Sequence, residues 1–295
     1  MMIKHLFSFF KSGFLIFFFF TNLNLCYGSY ILINMDDEQT NHLKAYGIAY
    51  LSIEKEIDVN WLLNFRGGSF LIKSNTFIEN ECKIRNVSYQ IIADLQSNKI
   101  LNEISRNDIN QEVIRLEKAP KIAIYSPKNK QPWDDAVTLA LSYAEIPYDV
   151  IYDEEVLSNL LPLYDWLHLH HEDFTGQYGK FYASFKNASW YKEQKKTFEK
   201  DAKKLGYEKV SQAKLSVAKK IKEYVNSGGF LFAMCSATDT YDIALAADGI
   251  DICHHMFDGD PIDNDINKKL DFSKTFAFKN FELVQNPNKY EFSSI

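Results

Sequence analysis

The sequence predicts an α/β protein in which a doubly wound, flavodoxin-like parallel sheet over residues 119–280 follows a smaller N-terminal α/β unit over residues 29–115. Three observations carry that prediction. Short apolar runs of strand type alternate with longer segments whose apolar residues recur at helical spacing, the pattern of a parallel sheet with helices on its faces. Proline or glycine closes the predicted helices, at Pro147 and at Gly228–Gly229. The composition, 46% hydrophobic with seven prolines in 295 residues, is that of a globular chain.

The chain opens with "MMIKHLFSFFKSGFLIFFFFTNLNLCYGS". Lys4 and Lys11 precede an apolar block from Phe14 to Phe20, and small and polar residues lead to Gly28 and Ser29. That order is a secretory signal over residues 1–28, with Ser29 as the expected mature N-terminus. The apolar block is shorter than the ~20 residues a bilayer span requires, so no stable membrane span is expected. The protein reads as exported: periplasmic, envelope-associated or secreted. Lipid attachment at Cys26 stays open.

"YILIN" (30–34) is a strand, and Leu43, Tyr46, Ala49, Tyr50 and Ile53 lie on one helical stripe after it. Two apolar segments flank Gly67 and Gly68, and "SYQIIA" is a further strand. The polar stretch "NEISRNDINQEVIRLEKAP" (102–120) reads as a domain boundary or linker. Beyond it "KIAIYS" is a buried strand. "PWDDAVTLALSYAE" is a helix with Trp133, Val137, Ala140, Leu141 and Ala144 on one face and Asp134 and Asp135 in its first turn. "YDVIYD" and "YDWLHLHH" are the next strands, and a helix follows with Ser211 as its cap and Val217, Ala218, Ile221 and Val225 as its apolar stripe. "FLFAMC" is the fourth strand, and a helix begins after Cys235. Residues 281–295 read as a tail, and "YEFSSI" carries no evident stop signal.

Acidic residues number 39 against 33 basic ones, a net charge of −6 spread along the chain, which speaks against a nucleic-acid partner. After cleavage of the signal three cysteines remain, Cys82, Cys235 and Cys253, and an odd number cannot all pair internally. In a doubly wound sheet, ligands bind beyond the carboxyl ends of the strands. Three sequence clusters reach that edge or lie close to it. Cys235 stands on the turn from the fourth strand into a helix, the place of a nucleophile on an elbow. "HLHHED" brings His168, His170, His171, Glu172 and Asp173 together at the end of the third strand, His168 and His170 on one face, with His170 or His171 as base, Glu172 or Asp173 as orienting carboxylate, and Thr175 and Gly176 in the loop beyond. Ser236, Thr238 and Asp239 open the helix after Cys235 and complete a substrate-binding set. "ICHHMFDGDP" offers His254, His255, Asp258 and Asp260 as ligands for a divalent metal, or as a polar loop with an Asp-Gly turn. No nucleotide-binding motif is present: "RGGSF" lacks the G-x-x-x-x-G-K-[ST] of a phosphate loop.

The succession strand, helix, strand, strand, helix, strand, Cys, helix over residues 120–247 resembles the class I glutamine amidotransferase-like fold. The resemblance implies Cys235 as nucleophile and the loop around Asp173–Gly176 as its oxyanion region. The His-x-Glu pair that this family carries downstream of its cysteine is missing, since the only later histidines are His254 and His255. Across nearly the whole chain after the signal, "QTNHLKAYGIAY", "WLLNFRGGSFLIK", "YDWLHLHHEDFTGQYGKF" and "LFAMCSATDTYDIALAA" resemble an exported family of Bacteroidota-type bacteria labelled asparagine synthetase B. That label implies glutamine-dependent amide transfer with ATP. The residues lack its N-terminal cysteine after Met1 and its S-G-G-x-D-S loop, of which "SGGFLF" at 227–232 keeps only the first three letters. Two readings stand: a cysteine-dependent hydrolase or amidohydrolase, and a non-catalytic envelope module that binds a small molecule, a sugar or a peptide in the same cleft.

Overall fold

A computed structural model describes residues 30–127 and 136–295. Residues 1–29, with Cys26 and Ser29, and residues 128–135, with Trp133, Asp134 and Asp135, lie outside the described residues. The chain divides into two compact units, one up to Ala119 and one from Pro120.

In the first unit β1 (Tyr30–Ile33), β2 (Val59–Leu63), β3 (Ser69–Lys73), β4 (Gln90–Ile92) and β5 (Glu112–Leu116) form one sheet in the order β4-β1-β3-β2-β5. Every neighbouring pair is antiparallel. Helices α1 (His42–Glu54), α2 (Thr76–Ile84) and α3 (Asp94–Ile104) connect the strands. Period-two alternation sends Ile31, Ile33 and Ile72 toward Ala45 and Ile48 of α1 and Ile78 of α2. Leu32, Leu62 and Leu71 go to the opposite face with Ile104 of α3. Gly67, at φ 82°, passes so close to Met35 that a Cβ would stand 2.3 Å from its carbonyl oxygen, a site only glycine fits. The chain does divide at the end of the stretch 102–120 expected as a boundary or linker, but the linker alternative is corrected, because Glu112–Leu116 pairs with β2 along its whole length. Its exposed Glu112 and Arg115 mark an edge strand, which is why the segment looks polar in sequence.

In the second unit β6 (Ile122–Tyr125), β7 (Asp149–Ile151), β8 (Trp166–Leu169) and β9 (Phe230–Ala233) form a parallel sheet in the order β7-β6-β8-β9. In chain order that is 2-1-3-4, the start of the flavodoxin-type arrangement, with its switch point between β6 and β8. Helices α4 (Ala136–Ala144), α5 (Asp153–Leu157), α6 (Tyr182–Phe185), α7 (Ser189–Lys204), α8 (Val210–Asn226), α9 (Ser236–Ala246), α10 (His255–Asp258) and α11 (Ile266–Lys269) accompany it. Ala123, Tyr125, Leu167 and Leu169 face Val217, Ala218 and Ile221 of α8 and Ala237, Tyr241 and Ala244 of α9. Ile122, Ile124 and Trp166 face Val137 and Leu141 of α4 on the other side. The sheet is therefore helix-covered on both faces as a doubly wound sheet is, except that Phe230 and Phe232 of β9 stay 58% and 45% exposed.

Two further sequence readings are corrected. Helix α8 begins at Val210 rather than after Ser211, and the side chain of Gln212 accepts the backbone N–H of Lys209 at 3.3 Å to close its first turn. Residues 281–295 are no tail: Phe281, Leu283 and Phe292 are buried with Ile243 and Ala246 of α9, and Leu283 pairs with Ser293 in an antiparallel bridge. Asp242 of α9 holds the approach to this segment, its carboxylate accepting the N–H groups of Phe276, Ala277 and Phe278 at 2.8 Å each.

Candidate functional site

Four parallel strands end on one edge, and the chain leaves β8 and β9 there side by side. The N–H of Met234 donates to Leu169 O at 2.9 Å, and that of Ala237 to His170 O at 3.2 Å. Ser236 Oγ donates to His171 O at 2.8 Å, and Thr240 Oγ1 to Glu172 O at 2.9 Å. The start of α9 is thus sewn to residues 169–172.

Cys235 stands between β9 and α9 at φ 52° and ψ −138°, with an exposed side chain. A non-glycine residue at positive φ costs of order ~1–3 kcal/mol and persists where the surroundings hold it. Here the bonds of Met234 and Ala237 on either side do so. A sharp strand-to-helix turn of this kind presents the residue at its apex to solvent at the amino end of an 11-residue helix, where backbone N–H groups have no helical acceptor.

His170 is 9% exposed, His171 half-buried, and their rings stack with centroids 3.6 Å apart. His168 sits in the sheet rather than at its mouth, 1% exposed and stacked on Phe232 at 5.6 Å. Glu172 Oε2 accepts the backbone N–H of His170 at 2.9 Å. Asp173 organises its own loop: Oδ1 accepts from Thr175 N at 2.7 Å and Thr175 Oγ1 at 2.5 Å, and Oδ2 from Gly179 N at 2.8 Å. Thr175 is buried and its carbonyl takes the thiol of Cys253 at 3.1 Å. Gly176, at φ 82°, presses on Ser211, whose Cα would lie 2.8 Å from an added Cβ. Thr238 and Asp239 lie in the first turn of α9, and burial raises the Asp239 carboxyl above the usual carboxylate range, with Asp173 adding to the shift and Lys180 opposing it.

The proposed metal residues do not come together as the spacing suggests. His254 and His255 stack on each other at 4.3 Å, while Asp258 and Asp260 turn to Lys209, whose Nζ lies 3.1 and 2.6 Å from them and 2.5 Å from Asp251. Asp251, Cys253 and Asp258 bring three donor atoms within 4.8 Å of one another. The ammonium of Lys209 stands among those carboxylates where a cation would sit.

Three lysines carry more of the structure than sequence reasoning assigns them: Lys209, Lys180 and Lys214. Lys214 of α8 is 2% exposed and donates to Tyr125 Oη, Tyr152 Oη and Asp153 Oδ1 at 2.8 Å each, while Tyr125 also donates to Asp153. This buried set lies under the carboxyl ends of β6 and β7. Its signal in the sequence is position: Lys214 falls on the stripe Val210, Ala213, Val217, Ala218, Ile221. A cavity of about 410 Å³ lined by Leu161, Asp165 and Gly229 sits at the opposite, amino edge. Another of about 390 Å³ lies between Thr175, Gln212 and Asp251.

No family model matches the chain, and neither a curated protein nor a solved structure does. Among the described residues no helix is long and apolar enough to cross a membrane.

Proposed function

We propose that this protein is an exported cysteine-dependent amidohydrolase, and the observation that carries the reading is the backbone of Cys235, held at φ 52° and ψ −138° with its thiol exposed at the head of α9. Such strain is maintained where a side chain must be offered to a ligand. In the reaction the sulfur attacks the carbonyl carbon of an amide, and its proton passes to a histidine of the His170–His171 pair. The N–H of Ser236 receives the oxyanion. The histidine returns the proton to the leaving amine as the C–N bond breaks, and water then hydrolyses the thioester to a carboxylic acid, restoring the thiol. Asp173 and Glu172 serve by shaping the loop that carries the pair. The order of the parallel sheet and the place of the cysteine support a class I glutamine amidotransferase-like assignment, with the histidines before the cysteine in the chain instead of after it. The resemblance to the asparagine synthetase B family adds no ATP step, because its nucleotide loop is absent from the sequence.

The test is acyl-enzyme trapping. The protein is mixed with a panel of amides and activated esters, quenched in acid and examined by intact and peptide mass. An acyl adduct on Cys235 that C235S lacks is the expected result. Absence of any adduct, with unaltered ligand binding in C235A, would replace the enzyme by a binding module using the same edge.

A further inference from the structure

A sheet edge carries a row of backbone N–H and C=O groups that a further extended chain can join, and proteins ordinarily guard it with charge, proline or brevity. Three of the edge strands here follow that rule: β4 and β7 have three residues each, with Gln90 and Asp149 among them, and β5 carries Glu112 and Arg115. The remaining edge strand is β9. Its run Phe230-Leu231-Phe232-Ala233, continued by Met234, holds no charge, no polar side chain and no proline. No residue from Phe230 to Cys235 is buried.

Pairing with β8 fixes which way the backbone groups of β9 point. The N–H of Phe230 donates to Asp165 O at 3.0 Å and that of Met234 to Leu169 O at 2.9 Å, so alternate residues 230, 232 and 234 address β8. Leu231 and Ala233 between them turn their N–H and C=O to the outer side. The ladder reaches Met234, the residue before Cys235, so the outer edge leads without interruption into the turn that presents the thiol. At ~3.3 Å per residue, Phe232 stands about 10 Å from Cys235 along the chain. Phe230, Phe232 and Met234 share one face of the strand, the last of them 39% exposed. Trp166 braces the Phe230 ring at 6.2 Å and His168 the Phe232 ring at 5.6 Å, centroid to centroid.

Resting on the amidohydrolase reading, we propose that the substrate is a polypeptide, which adds to the outer edge of β9 as a fifth strand and brings one of its backbone amides to Cys235. Main-chain bonds to Leu231 and Ala233 hold the extended chain, and Phe230, Phe232 and Met234 favour apolar side chains at every second position. Cleavage joins the acyl part of the peptide to the sulfur and releases the rest with a new amino terminus, and water frees the acyl part as a carboxylic acid. The competing occupant is a second copy of this chain pairing through the same edge. Four residues a side is far short of the roughly 20–30 that a stable interface between proteins employs, whereas it matches a short peptide strand.

The experiment uses the full chain carrying C235S, so that peptide is bound and not consumed. The probe is the peptide acetyl-Lys-Val-Thr-Val-Thr-Val-Lys-amide, with two relatives, one N-methylated at its valines and one at its threonines. Residue-resolved hydrogen exchange at saturating peptide should show the N–H groups of Leu231 and Ala233 slowed by about tenfold or more, while those of Phe230 and Phe232, already bonded to β8, change little. An added strand offers alternate N–H groups to the edge, so one methylated relative should lose affinity by about 20-fold or more and the other should keep it. F230K, which charges the edge, should weaken binding about two- to fivefold, and A233P, which removes an outer N–H, about fivefold, with thermal unfolding confirming that each is folded. No protection of Leu231 and Ala233, or equal affinity of the two methylated relatives, would overturn the proposal whatever the variants do. Protection already present without peptide, together with a dimeric mass by light scattering, would overturn it in favour of a second copy. Because binding is read without chemistry, protection by peptide with no acyl adduct on the unaltered Cys235 would defeat the amidohydrolase reading alone, and adducts from small amides with no protection would defeat the strand addition alone.

Discussion

Ser236 Oγ donates to the carbonyl oxygen of His171 at 2.8 Å, tying the first residue after the presented cysteine to the second histidine of the pair, 65 positions earlier. With Thr240 Oγ1 on Glu172 O it makes the start of α9 and the exit of β8 one rigid piece. Breaking it by S236A should cost about 1 kcal/mol of stability, the ordinary worth of such a bond, read by denaturant unfolding. T240V, at a fully buried position, should cost more, about 1–3 kcal/mol, because it strands the Glu172 carbonyl.

Thiol reactivity should divide cleanly. Burial pushes the Cys82 thiol up to about 12 and raises that of Cys253 well above its usual range, so both stay protonated at neutral pH and inaccessible. Iodoacetamide at pH 8 should therefore label Cys235 of these three in the folded protein, and Cys82 and Cys253 only in denaturant. Peptide mapping before and after unfolding checks this.

The buried set around Lys214 should be intolerant of losing one partner. K214M leaves the Asp153 carboxylate in the interior without its cation and should destabilise by about 3–5 kcal/mol. K214M combined with D153N, which removes the stranded charge, should recover part of that loss. Equal stability of single and double variants would contradict the account.

Lys180 should give the protein an alkaline stability gradient. Burial lowers its ammonium from 10.5 to about 8 in the folded state. Between those values the unfolded chain binds more protons at this group than the folded one, so this group's contribution makes unfolding harder as pH rises from about 8 to 10.5. Below about 8 the cost of burying the charge is fully present. In K180M that gradient should flatten, measured as unfolding free energy against pH.

Asp242 should anchor the C-terminal segment. D242A leaves the N–H groups of Phe276, Ala277 and Phe278 without their acceptor, at an expected cost of about 2–4 kcal/mol. Hydrogen exchange should show residues 276–295 opening before the parallel sheet does.

The sequence by itself determined what depends on neighbours along the chain. Short apolar runs marked β1, β6, β8 and β9, period-3.6 stripes marked α1 and α8, and Gly228–Gly229 marked the stop of α8, because each pattern is written within a dozen residues. The same locality placed Cys235 on a strand-to-helix turn. It misread β5, whose Glu112 and Arg115 are polar only because an edge strand faces water, and it passed over α7, a charged helix with just Tyr191 and Ala202 buried. Only the tertiary structure decided which polar groups meet. Lys180 reaches carbonyls 104 and 111 positions away, Lys209 takes the acids that spacing had offered to a metal, and Lys214 closes on Asp153 across 61 positions. A hydrogen bond or ion pair between distant residues leaves no period in the sequence, since its partner is chosen by how the sheet brings chain ends together and by what burial demands of a charge.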